Sequence, residues 1–271
     1  MQSIIKHLKI MVSSVGASVI GVVEGLGKFF FFIGQVFFWM IRPPYRFKLI
    51  LEQLYFIGNK SFFLIALTGA FSGMVMAIQT YFGFKLISVD SLVGPVVALT
   101  MAKELAPVFT GIVVAGRAGA AMAAQIGTMK VTEQVDALEV MGINAYQYLA
   151  IPRVVAGTIA VPMLSILYLL IGNMGSWLVG TKQLMIDEAI FFSKLGEFMF
   201  LEDVYQGIMK ATVFGLLISL IGTYFGFQVD KGAEGVGKGT NMAVVWGMAS
   251  VLVIDYFLTI FWERVIMVVV F

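Results

Sequence analysis

Long runs without a charged side chain most narrow what this 271-residue sequence can become. A bilayer core about 30 Å thick is crossed by roughly 20 apolar residues at 1.5 Å per helical residue. Four intervals reach that length: between Lys60 and Lys85, between Arg153 and Lys182, between Lys210 and Asp230, and from Asn241 to Trp262, the last broken only by Asp255. A fifth, from Pro95 to Arg117, carries Lys103 and Glu104 inside it. The expected fold is therefore an all-α integral membrane protein with about five spans, near 61–84, 95–117, 154–181, 207–229 and 241–262.

Composition agrees. Hydrophobic side chains make up 60% of the chain and charged ones 13%, whereas soluble domains use about 45–50% and about 25%. A net charge of +2 is too balanced for a nucleic-acid surface, and zero Cys with a single His excludes thiol chemistry, disulfides and most zinc sites.

Five spans put the two ends of the chain on opposite sides, and basic residues mark the cytoplasmic one. Lys6, Lys9, Lys28, Arg42, Arg46, Lys48 and Lys60 precede the first span, while the 182–205 loop sets two Lys against Asp187, Glu188, Glu197, Glu202 and Asp203. This predicts a cytoplasmic N-terminus and an external C-terminus. Before the first span, Ile10–Val23 and Phe29–Ile41 are each too short to cross and are flanked by basic residues, which predicts interfacial or re-entrant helices over 1–56 ahead of one integral membrane unit over 57–271. A cleaved signal peptide is the competing reading of Lys6 and Lys9 before an apolar run, although no clear A-x-A site follows.

Between the second and third spans the chain changes character twice. Small residues crowd Ala115 to Ala124, which lets membrane helices approach closely. Then MKVTEQVDALEVMG predicts a short amphipathic helix over about 130–142: Val131, Val135 and Leu138 recur at i, i+4 and i+7, Glu133, Asp136 and Glu139 follow at intervals of three, and Gly142 is placed to stop it. By itself this is better explained by a solvated cytoplasmic loop helix.

With KELAPV (103–108), AGRAGAAMAAQIGTMKVTEQVDALEVMG (115–142) and Pro152-Arg153, the chain resembles the permease of MCE-associated lipid ABC transporters, the Mla permease family. The resemblance runs from Ile57 to Trp262. It implies a bacterial inner-membrane homodimer with a lipid pocket at its interface, two cytoplasmic ATPase subunits that bind ATP and magnesium, and a periplasmic MCE-domain protein, hexameric in that setting. It also leaves room for a small STAS-like cytoplasmic subunit. Phospholipid would be the cargo, and the permease itself would hold no cofactor and catalyse no reaction. The helix over 130–142 would be the coupling helix that docks on the ATPase, with Lys130, Glu133, Asp136, Glu139 and Met141 at the joint and an apolar edge entering a groove.

Charged residues inside a membrane mark pathways. Lys103 and Glu104 lie about 12–14 Å below the outer edge, and Asp255 about 9 Å below it. Depth alone suggests that Lys103 pairs with Asp255 and leaves Glu104 facing a polar cavity; a packing network without a transport role is the alternative. The resemblance places Lys103 (usually Arg in the family) and Glu104 in the lipid pocket, and brings in Gln79 and Tyr81 from GMVMAIQTYF as headgroup or glycerol contacts. Arg117 is expected to snorkel or to bind helix carbonyls.

Three other features carry less. TYFGF occurs at 80–84 and 223–227, but the flanking residues do not match. DKGAEGVGKGT comes close to a phosphate-binding loop, yet it joins two spans rather than a strand and a helix, and reads as a flexible cytoplasmic turn. The rival functions are an ion-coupled secondary transporter of a lipid or amphiphile, which should show broken helices at the midplane, and an intramembrane lipid enzyme, for which no nucleophile with its base is present.

Overall fold

The computed structural model describes residues 2–86, 88–230 and 232–266, with the side chains of 2–19, 22, 265 and 266 outside the described set. Lys6, His7 and Lys9 fall in that side-chain gap. The helices are α1 (Gln2–Met40), α2 (Phe47–Lys85), α3 (Asp90–Val131), α4 (Gln134–Val140), α5 (Tyr146–Gln183), α6 (Glu188–Phe198), α7 (Leu201–Phe227) and α8 (Ala233–Phe261). The chain divides into two compact units at Tyr45/Arg46, just before α2.

The first unit departs from the two short helices expected there. Both apolar stretches lie on one 39-residue helix. Glu24 and Lys28, which lie between the two stretches, are spaced i,i+4 with the acid first, an arrangement that supports a helix rather than interrupting it. Within it, Val23–Met40 is long and apolar enough to cross a membrane by length and composition, which makes six such helices among the described residues where the sequence suggested five.

In the second unit α2, α3, α5, α7 and α8 pack side by side. All five are longer than the predicted spans, α7 and α8 through earlier starts; the stretch expected at 241–262 begins at Ala233, so the glycine-rich 233–239 segment is helix and not a flexible turn. Glu234 and Lys238 pair at 2.7 Å along its first turns, and Gly239 brings it close to the Phe225 carbonyl and Val229.

Glycine sets the closest contacts. α2 and α5 run parallel, with Gly69 against the Tyr168 backbone and Gly73 against that of Gly172, where a Cβ on Gly73 would overlap a carbonyl. Gly157 and Gly215 join α5 to α7 in the same way, and Gly207 seats α7 on the Ala102 carbonyl of α3. Lipid tails are as apolar as the helices, so close packing rather than water expulsion holds such a bundle together.

Wide π turns interrupt α3 at Met101–Leu105 and Ala115–Gly119, and α5 at Tyr146–Ala150 and Val179–Gln183. Two of the four have a cause in the sequence. Pro107 and Pro152 have no N–H for the carbonyls of Lys103 and Tyr148, and their rings press on them. The helix widens just upstream, so Ala106 N–H bonds back to Met101 and Ile151 N–H to Tyr146.

Candidate functional site

Ion pairs tie three helices together toward the end of the bundle away from α4. The π turn of α3 presents Lys103 and Glu104 in succession, and the Gly207 contact brings α7 close enough for both to be met from one helix. Lys103 Nζ lies 2.9 Å from Asp203 Oδ1. Lys210 Nζ, with 0% of its side chain exposed, donates to Glu104 Oε2 at 2.6 Å and to Thr259 Oγ1 at 2.8 Å. It also lies 3.0 Å from Asp255 Oδ1, an ion-pairing distance without hydrogen-bond alignment.

The predicted Lys103–Asp255 pair does not form. Asp255 is taken by Lys210, and Lys103 by Asp203. Asp203 is buried at the start of α7, where its other oxygen accepts from Phe200 N–H at 2.9 Å, so one carboxylate both caps the helix and neutralises Lys103. Glu104 keeps 37% of its side chain exposed and is the open edge of the cluster, although Lys210 already holds one of its oxygens. Three carboxylates face two ammonium groups, so a headgroup phosphate at Lys103 has to share that ammonium with Asp203.

Sequence reasoning passed over Lys210 and Asp203 because Lys210 looked like the edge of an apolar interval and Asp203 like a loop acid. The signal was their spacing: Asp203, Gln206 and Lys210, at i, i+3 and i+7, share one helix face, and all three are buried. Gln79 is exposed and Tyr81 half-buried with Lys85 Nζ 5.2 Å from its ring centre; among the described residues neither makes a hydrogen bond or ion pair to the cluster.

At the other end, the helix predicted over 130–142 is two pieces. Lys130 and Val131 finish α3; Glu133, at φ 58°, turns the chain, and α4 begins at Gln134. Gly142, at φ 73°, ends α4 as its position implied: Gly142 N–H bonds to Glu139 O and Ile143 N–H to Leu138 O, both at 2.9 Å. Glu133, Asp136 and Glu139 are exposed.

The apolar edge expected to enter an ATPase groove is not free. Val135 and Leu138 are buried on Ile126, Ala145 and Leu149 of their own chain. Periodicity marks the buried face of a helix but not which molecule buries it. The free apolar groups are Val140, 90% exposed, and Met141. Lys130 is exposed, and its Nζ donates to Phe227 O at 2.6 Å along the surface. Arg117 donates to Phe56 O at 2.8 Å, and Arg153 to Leu149 O at 2.7 Å and Gln125 Oε1 at 3.2 Å. Among the described residues no group of three or more His, Asp or Glu side chains is arranged to hold a metal.

An all-helical bundle of long apolar helices, with a paired ionic cluster in one half and an acidic elbow at the opposite end, defines an all-α membrane protein. The chain belongs to the Permease MlaE family, which it matches over residues 50–261. It is 42% identical over 247 residues to a probable ABC transporter permease protein of Rickettsia bellii, covering 91% of this chain and 95% of that one. It is 34% identical over 249 residues to the intermembrane phospholipid transport system permease protein MlaE of Haemophilus influenzae, covering 92% and 95%. It is 36% identical to the chloroplastic protein trigalactosyldiacylglycerol 1 of Arabidopsis thaliana, over 84% of this chain and 65% of that one.

Proposed function

We propose that this chain is the permease subunit of an ABC transporter that moves phospholipid between membranes, acting as a homodimer in a bacterial inner membrane. The observation that carries the reading is its 34% identity to a phospholipid-system permease along 92% of its length. In this reading ATP and magnesium are bound by two separate ATPase subunits on the α4 side, and an MCE-domain protein stands at the opposite face. The α4 side is then cytoplasmic.

Two features of the molecule support the division of labour. The exposed carboxylates of Glu133, Asp136 and Glu139, with the bare Met141 beside them, suit an ATPase surface that offers Arg or Lys around a small apolar seat. The ionic cluster presents both signs of charge in the far half of the membrane, as a zwitterionic headgroup does, with Glu104 at its open edge. In this reading Gln79 and Tyr81 of α2 serve as contacts for headgroup or glycerol oxygens.

Purification from native membranes, followed by mass spectrometry of whatever remains bound, tests this. The expected result is an ATPase subunit and phospholipid in the wild-type sample, with the ATPase lost from E133K/E139K. A charge-reversed protein that retains the ATPase at wild-type stoichiometry contradicts the docking site.

A further inference from the structure

We infer that Lys130 is a positioning residue: its bond to the Phe227 carbonyl joins the acidic elbow to α7, and α7 is the rod that carries movement of the elbow to the ionic cluster. The inference rests on the docking of an ATPase at α4 and names the route beyond it.

Phe227 is the last residue of α7, and its carbonyl accepts from Lys130 Nζ at 2.6 Å. An ammonium there meets the negative end of the helix dipole. The donor comes from the last turn of α3, three residues before Glu133. The Phe227 ring meets Tyr146, at the start of α5, with ring centres 5.3 Å apart. Phe227 is thus held by the segment entering the elbow and by the segment leaving it. Val135 and Leu138 seat α4 on the same cluster, against which Phe227 also packs.

The helices differ in stiffness. α3 and α5 each contain two π turns, where the hydrogen-bond ladder is already loosened and a displacement can be absorbed. α7 is unbroken α-helix from Leu201 to Phe227, with neither proline nor π turn. Near its far end it carries Asp203 and Lys210, the latter about 25 Å along the axis from Phe227 at 1.5 Å per residue. A push on the elbow therefore reaches the cluster through α7, and Lys130 is a polar contact by which the elbow holds that helix.

The test uses the permease purified with its native ATPase and reconstituted in phosphatidylethanolamine–phosphatidylglycerol vesicles with a fluorescent phosphatidylethanolamine as cargo. The readout is lipid moved per ATP hydrolysed, a ratio that a general loss of protein does not change. K130M removes the donor and keeps the chain length; K130R keeps a charged donor. K130M is expected to retain the ATPase and to lose about two- to fivefold in the ratio, the scale of an exposed charged contact, and K130R to recover most of it. If K130M does not assemble, K130Q, with a neutral donor, is read in the same way and should fall between. A wild-type ratio in K130M, or a ratio in K130R no better than in K130M, overturns the inference. Failure of the docking site registers separately, as retention of the ATPase by E133K/E139K.

Discussion

Lys210 is the residue on which the far half of the bundle turns. An ammonium with none of its side chain exposed is tolerable only because Glu104, Asp255 and Thr259 surround it. K210M leaves two carboxylates without a counter-charge. Breaking a buried pair from one side costs about 3–5 kcal/mol, here toward the lower end because Glu104 keeps contact with solvent. The thermal unfolding midpoint in detergent should fall in K210M and recover in K210M/E104Q/D255N; a K210M protein as stable as wild type would remove the cluster from the account. Lys103, Glu104 and Asp255 were legible in the sequence because each interrupts an apolar run. Their partners were not, since a charge at the end of a run looks like a boundary, and only the packing of Gly207 on Ala102 shows that α7 begins well before it.

Among the elements, the α2–α5 contact is the clearest case of backbone against backbone. Gly73 faces the Gly172 carbonyl, which cannot rotate aside as a side chain would. G73V should push the helices apart at a cost of about 1–3 kcal/mol or more, whereas G58A on the same helix, with open space around it, should be neutral or stabilising by up to about 1 kcal/mol. Unfolding midpoints of the two variants check the contrast, and equal effects would show that the contact carries no weight. Helix positions could be read from charge-free intervals, but their ends could not. Nothing in hydropathy distinguishes a helix that stops at the membrane from one that continues beyond it, as α3 does to Val131. The 130–142 segment was legible as an amphipathic pattern with a terminal glycine; the break at Glu133 was not, because a single residue at positive φ leaves the pattern intact.

For the molecule as a whole, the elbow and the cluster lie at opposite ends of the same unit, joined by an unbroken helix. This suits a permease that responds to work done on one face. The most direct measurement is lipid transfer between vesicles containing the purified permease, with and without its co-purified ATPase and ATP. Transfer only when both are present, and abolished by a non-hydrolysable analogue, is the predicted result. Transfer by the permease alone, driven by an imposed ion gradient, would contradict it.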